Sequence, residues 1–411
     1  MVFFGAMVEP IELLFDPRDP NLLQDPYPAY RRMREQAPCW KSPDGIWYFT
    51  RYRDCFDLFR SPALSYDVTN SASFQQKLST DVDERARQVE ASQRDRSLLE
   101  TDPPEHTRLR SLVNRAFTAR SIESSRPTIE SMVGRLLESF DSSVVDVVSQ
   151  FALLVPILVI CDMLGVPVEE RSQFIEIGNV VARSVDPDIS IDDRLAAMQQ
   201  LRDYIVGLLE VRRRTPGDDL MTRLIDATED GRLANENELI ANAGVLLLAG
   251  FETTTNLIGN AVYQLLRHPD QLEVLRQDGT AILTTIEEVL RFDPPVHMMR
   301  PRTIVADTQI GDAELHSGDP VVPVLAAANR DPEEFEDPET FDVGRAVNRH
   351  LTFGLGHHLC IGASLARMEG QIAVSSLFER FPSLALADEE PEPRPNLSLR
   401  GFARLPVVLN G

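Results

Sequence analysis

The sequence predicts a mainly α-helical fold with small β-sheets, in a single domain spanning residues 1–411. Three observations carry this. Apolar residues recur at helical spacing over long stretches, strand-like runs are few and short, and no repeat, Gly/Ser linker or low-complexity tract divides the chain. In chain order, helical patterns cover 26–37, 105–118, 127–140, 193–214, 235–267, 280–291 and 361–381. The strand-like runs are IWYFT (46–50), TIVADTQI (303–310), DPVVPVL (319–325) and LPVVL (405–409). Residues 64–98 are polar and aperiodic, and read as a surface loop or a flap over a site.

Bulk properties exclude several classes. With 43% hydrophobic and 26% charged residues, the composition is that of a globular protein. A formal charge of −23 argues against nucleic-acid binding, which needs a basic face. It also disfavours an anionic membrane surface, and its simplest role is solubility. Cys39, Cys55, Cys161 and Cys360 show no CxxC spacing, so neither a disulfide framework nor a cysteine-rich zinc site is expected. The N-terminal VFFGAMV is too short to cross a bilayer. FALLVPILVIC (151–161) also falls short of roughly 20 residues and reads as a buried helix containing Pro156. The expected protein is cytoplasmic, unanchored and monomeric.

Four constellations carry chemistry. The first is FGLGHHLCIG (353–362), with the pattern F-x-x-G-x-x-x-C-x-G filled by Phe353, Gly356, Cys360 and Gly362. Ile361, Leu365, Met368 and Ile372 follow at helical spacing, which puts Cys360 at or just before a helix N-terminus. Free backbone N–H groups and the helix dipole there favour a thiolate. Gly356 allows a tight turn, and Gly362 lets a flat ligand approach the backbone. Such a thiolate suits iron. Zinc would need further ligands that His357 and His358 cannot supply alone, and a nucleophilic cysteine would need a base, for which His358 is the candidate. The glycines favour haem ligation over both.

The second is LLLAGFETTTN (246–256), within a helix long enough to cross the molecule, with Asn235 and Glu238 as a capping pair and Arg267, His268 and Pro269 at its end. Gly250 and three threonines are poor helix formers in an apolar stretch. A threonine hydroxyl can bond a backbone carbonyl and bend the helix, and Glu252 beside Thr253 makes a proton relay possible. Small-residue packing, with each threonine bonded to its own backbone, explains the segment equally well. The third is Glu288 and Arg291, three apart in EEVLR, with Arg345 in FDVGR. A carboxylate between two guanidiniums would brace the loop before the cysteine. The fourth is DPPEHTRLR (102–110), where His106 and Arg110 share a helix face. They could hold a carboxylate or phosphate, although from this motif alone a solvated face is the simpler account.

Together these segments resemble the cytochrome P-450 superfamily of haem-thiolate monooxygenases in its bacterial form, from about DPYPAYRRMRE to LRGFARLPV. The resemblance implies a triangular helical fold with haem b held between the long central helix and the cysteine helix. It implies that Cys360 is the proximal iron ligand, within a cofactor-contacting loop of Phe353, Gly354, Gly356, His358, Ile361 and Gly362. His106, Arg110, Arg302 and His358 match propionate partners. Ala249 and Gly250 match the place where the central helix opens beside the iron, and Glu252 and Thr253 match the acid–alcohol pair that delivers protons to the reacting dioxygen. Glu288, Arg291 and Arg345 match a structural triad. The acid is Glu where many members have Asp, Phe251 stands where His is frequent, and the first seven residues match nothing, which makes Met7 an alternative start.

The implied reaction inserts one oxygen atom of O2 into an apolar small molecule, with electrons from NAD(P)H through a separate ferredoxin and ferredoxin reductase. Arg108, Arg115, Arg120 and Arg367 are expected to form the docking patch. The pocket is expected to use the 64–98 loop, the 170–195 segment, Val245, Val296, Met298 and Met299. The rivals are a peroxide-using haem-thiolate enzyme, against which the acid–alcohol pair argues, and a non-catalytic haem-binding gas sensor, which needs no proton relay.

Overall fold

A computed structural model describes residues 15–410 except 17–18, 20, 95, 115, 184–185, 187–188 and 230–234, so the expectation for the first seven residues and for Arg115 lies outside the described residues. Helices dominate, as the periodicity predicts. In chain order they include α1 (Tyr27–Gln36), α2 (Tyr52–Arg60), α3 (Val82–Arg94), α4 (Glu105–Val113), α5 (Ala119–Glu138), α6 (Leu154–Leu164) and α7 (Arg171–Arg183). After these come α8 (Ile191–Arg214), α9 (Leu220–Glu229), α10 (Glu236–Arg267), α11 (Pro269–Gln277), α12 (Ile282–Phe292) and α13 (Ala363–Arg380).

Helix α10 is the axis of the molecule. It runs for 32 residues, about 48 Å at 1.5 Å per residue. The Asn235 side chain accepts from the Glu238 amide at 2.9 Å and so caps its first turn. The Glu238 carboxylate accepts from Arg108 at 2.6 and 3.0 Å, which ties the start of α10 to α4. Pro269 opens α11 at a position where its missing N–H costs nothing. Helices α6, α8, α12 and α13 pack around α10. One core cluster joins α10 to α5, α12 and α13 through Leu257, Val262, Ile286, Val289, Ile372 and Val374. A second lies between α6, α8 and the first half of α10.

The sheets are small. The largest has five strands, in the spatial order Cys39–Lys41, Trp47–Phe49, Pro320–Pro323, Arg302–Ile304 and Leu64–Ser65. The strand Val144–Asp146 pairs with Pro406–Val408, which also pairs with Ala385–Leu386. The run at 303–310 is not one strand. It divides into Arg302–Ile304 in the main sheet and Thr308–Ile310 in a separate hairpin with Ala313–Leu315.

Three further expectations change. The 64–98 stretch contains α3, whose sequence shows no apolar stripe. Local polar contacts start it instead, with Asp81 accepting from the Glu84 amide and Ser79 donating to the Glu84 carboxylate. Helix α5 begins at Ala119, capped by Thr118, and continues through Pro127, where the sequence pattern places a start. The helix expected to reach 118 ends at Val113.

Candidate active site

The loop before α13 is shaped by two glycines with left-handed backbone, Gly354 at φ +66° and Gly356 at φ +70°. Any side chain at Gly356 would also come within 3.3 Å of the Phe59 carbonyl of α2. The Cys360 amide donates to the Phe353 carbonyl at 2.9 Å, which closes the loop and presents the thiol just ahead of α13. Enclosure by the chain raises the Cys360 thiol above its ordinary range. The amides of Gly362 and Ala363 and the charges of Arg110 and Arg367 pull it back down. Although enclosed in this way, Cys360 keeps exposed surface, and that surface lines a cavity. A β-carbon on Gly362 would stand 4.0 Å from the sulfur and meet nothing nearer, so that face of the loop is open to a flat ligand.

The cavity has about 290 Å³ open to the centre of a water molecule, and its walls are predominantly apolar. Phe353, Gly354, His358, Cys360, Ile361 and Gly362 form one side, and Val245, Ala249, Gly250, Thr253 and Thr254 of α10 form another. Val296 and Met299 also line it. Met298 does not, being buried against Val324, with which it forms an isolated bridge. Alternation along an extended segment turns residue 298 to the opposite face from its neighbours. Tyr66 and Leu98 come from the 64–98 stretch, whereas none of the described residues of 170–195 reaches the wall.

The threonines of α10 all bond backward. Thr253, Thr254 and Thr255 donate to the carbonyls of Ala249, Gly250 and Phe251 at 2.9, 2.9 and 2.8 Å. Thr253 nevertheless faces the cavity, while the Glu252 side chain, about 100° around the helix, does not line it. Glu252 is buried and accepts from Arg394 at 2.8 Å, and Arg394 also donates to Asp186 at 2.6 Å. Burial, reinforced by Asp186, pushes the Glu252 carboxyl up to about 7 against the opposing charge of Arg394. Arg394 and Asp186 have no motif around them, and only the folded chain brings them to Glu252.

On another side, His106 is 1% exposed and neither ring nitrogen has a partner. Its ring lies 4.1 Å from that of His358, which stacks at 3.7 Å on Tyr66. Arg302 covers the other side of this group, 4.6 Å from the Tyr66 ring, with its buried Nε unpartnered. Burial and neighbouring positive charge hold His106 down at about 4. Buried donors left without acceptors point to an anionic ligand group. Arg110 lines the cavity, but its guanidinium donates to the carbonyls of His357 and Leu359 at 2.8 and 2.7 Å and so ties α4 to the cysteine loop.

The carboxylate of Glu288 is fully buried and receives five donors. Arg291 gives two, at 2.6 and 2.8 Å, the Asp342 amide one at 2.9 Å, Asn348 one at 3.0 Å and Arg345 one at 3.2 Å. Arg291 also donates to the carbonyls of Asn329, Pro338 and Thr340. The pair thus fixes the strap from 329 to 348 that leads into the cysteine loop.

This arrangement, a cysteine thiol and a threonine-bearing helix facing one apolar cavity that is flanked by the unpartnered His106 ring and Arg302 Nε, fits a flat iron-binding cofactor with acidic edges. The family model for cytochrome P-450 matches residues 46–408. The chain belongs to the cytochrome P-450 family. Membership makes it a haem-iron monooxygenase. Cytochrome P-450 107B1 of Saccharopolyspora erythraea is 40% identical over 395 residues, covering 95% of this chain and 96% of its own. The vitamin D(3) 25-hydroxylase of Pseudonocardia autotrophica is 39% identical, covering 94% of each chain. The ligand-free structure of Mycobacterium smegmatis CYP164A2 superposes with a TM-score of 0.85 at 39% identity, over 95% of this P-450 and 97% of that chain. Among the described residues, no helix is long and apolar enough to cross a membrane.

The expected docking patch is largely neutralised within this P-450. Arg108 is held by Glu105 and Glu238, and Arg367 by Glu287 at 2.6 and 2.9 Å, whereas Arg120 is exposed.

Proposed function

We propose that this P-450 inserts one oxygen atom of O2 into a neutral, apolar organic substrate, with electrons from NAD(P)H through a separate ferredoxin and its reductase. The observation that carries the reading is that Cys360 and Thr253 line the same apolar cavity. Haem b bound there supplies the oxygen-activating redox chemistry. Cys360 would ligate its iron, in the loop shaped by Phe353, Gly354, Gly356, Ile361 and Gly362. His106, Arg302 and His358 would hold its propionates, and Arg110 secures the loop and adds positive charge beside it. Glu288, Arg291 and Arg345 brace the strap behind that loop.

Thr253 acts at its hydroxyl oxygen. Its own proton goes to the Ala249 carbonyl, so the lone pairs remain free to accept a hydrogen bond and orient a proton at the reacting atoms. Glu252 exchanges protons on the far side of the helix, and a carboxyl held near 7 is suited to that at neutral pH. The substrate class is supported by the apolar walls and by the vitamin D(3) 25-hydroxylase relative, since vitamin D(3) is mostly hydrocarbon. The chain acts as one cytoplasmic, monomeric domain.

Titrating the ferric holoprotein with vitamin D(3), other neutral terpenoids and citrate tests the reading. Apolar ligands shift the Soret band and citrate does not. A protein that answers citrate and none of the apolar ligands contradicts it.

A further inference from the structure

The oxygenation reading uses His358 of the paired histidines in the cysteine loop and leaves His357 without a role. His357 is exposed, and its carbonyl accepts from Arg110 at 2.8 Å, so its backbone is fixed while its imidazole is open to solvent. Two adjacent histidines cannot hold a zinc-type ion alone, but the fold brings a third donor to them. Asp102, just ahead of α4, lies so that one of its carboxylate oxygens and one ring nitrogen each of His357 and His358 all fall within 4.8 Å of one another. Among the described residues, no hydrogen bond joins the three. Their outer contacts are those of a ligand set. The Tyr66 amide donates to Asp102 Oδ1 at 2.8 Å and the Ser65 hydroxyl donates to Oδ2, so each oxygen keeps a lone pair. His358 Nε2 lies 3.1 Å from the Thr101 carbonyl, which can only accept, so in the neutral ring Nε2 carries the proton and Nδ1 the lone pair. Stacking on Tyr66 at 3.7 Å holds that ring in place, with the His357 ring 4.9 Å away.

We propose that Asp102, His357 and His358 bind a divalent ion of the zinc type at the edge of the reaction cavity, and that this ion and the haem compete for His358. Two imidazole nitrogens and one carboxylate oxygen suit Zn2+ and its transition-metal neighbours better than Mg2+ or Ca2+. Three protein ligands leave a fourth position to water, so the ion exchanges, and the exposed His357 gives it a way in. The Asp102 carboxylate offsets the positive charge that Arg110 and Arg302 bring to this corner. The competition rests on the haem reading of the cavity, and the ion site does not. His358 lines the cavity and would hold a propionate there, so an ion that takes its ring withdraws one of the haem's contacts. By linkage, haem weakens the ion by the same factor.

Two measurements on the holoprotein test this. The first is equilibrium dialysis against Zn2+ in excess Mg2+, which occupies the loosely held sites of an acidic surface, followed by metal analysis. Wild type is expected to retain one more Zn2+ per chain than His357→Ala. That variant keeps the loop, because Arg110 bonds the backbone of His357 and not its ring. Asp102→Asn, which still offers an acceptor to the Tyr66 amide, is expected to lose the same ion. The second is haem transfer to apomyoglobin. Saturating Zn2+ speeds transfer from wild type about tenfold, the effect of losing one charge-assisted hydrogen bond, and a chelator reverses it. Neither variant responds. Equal Zn2+ content in wild type and both variants overturns the site. Transfer from wild type that ignores Zn2+, or slows with it, overturns the competition. A wild type without the thiolate-type spectrum would instead sink the haem reading, and the Zn2+ count would still decide the site.

Discussion

Replacing Arg291 by Met keeps the volume of the side chain and removes its charge. The Glu288 carboxylate, fully buried, then loses two of its five donors. Breaking a buried ion pair from one side costs about 3–5 kcal/mol, because the remaining charge stays desolvated. The carbonyls of Asn329, Pro338 and Thr340 lose a shared donor as well, at about 1–3 kcal/mol for each that stays unsatisfied. Water and the remaining donors of Arg345, Asn348 and Asp342 offset part of this, which leaves about 5 kcal/mol. A domain has about 5–15 kcal/mol in all, so the variant sits near its folding limit. Because the strap leads into the cysteine loop, haem incorporation falls with it. The assay is urea unfolding of the purified protein together with the ratio of haem to protein. The double variant Glu288→Leu/Arg291→Met, which leaves no stranded charge, recovers part of the loss. An Arg291→Met protein within about 1 kcal/mol of wild type and fully loaded with haem would refute the bracing argument.

Thr253→Ala is expected to leave haem binding intact while product per NAD(P)H falls and peroxide rises; coupling unchanged in both Thr253→Ala and Glu252→Gln would make the threonine run a packing feature. The Glu252 carboxyl has its folded pKa raised from 4.5 to about 7, so its contribution to stability is fully present below 4.5 and is lost as pH rises through about 7. Urea midpoints from pH 4 to 8 should decline less in Glu252→Gln than in wild type, and parallel profiles would show that the group is not perturbed. Loss of a charge-assisted bond of about 1.5–3 kcal/mol should speed haem transfer to apomyoglobin roughly tenfold or more in His106→Phe or Arg302→Leu, and equal transfer rates would remove both residues from the propionate site.

Much of this was legible from sequence because it rests on local pattern. Helix α10 could be read from its periodicity and cap, and the cysteine loop from glycines that only a left-handed backbone and a close approach require. What escaped depends on which distant segments meet. Arg394 and Asp186 reach Glu252 from strand-end and inter-helix positions that carry no motif. Met298 was expected on the pocket wall because its neighbours are, but alternation turns it away. Helix α3 lacks an apolar stripe and so has no periodic signal, although its capping contacts are visible in the sequence afterwards. Glu369 did leave a trace, an acid within the apolar stripe of α13, but its burial and its unpartnered oxygen show only in the folded chain. The docking arginines show the opposite failure. Their charges are plain in the sequence, but Arg108 and Arg367 are satisfied by Glu238 and Glu287 from other helices.

The central claim is that Cys360 presents a thiolate to haem iron. Its most direct test is the absorption spectrum of the dithionite-reduced, CO-treated protein, wild type beside Cys360→Ala. The account predicts the red-shifted Soret band of thiolate ligation in the wild type, and loss of that band, with much of the haem, in the variant. A Cys360→Ala protein that keeps the thiolate-type spectrum would contradict it.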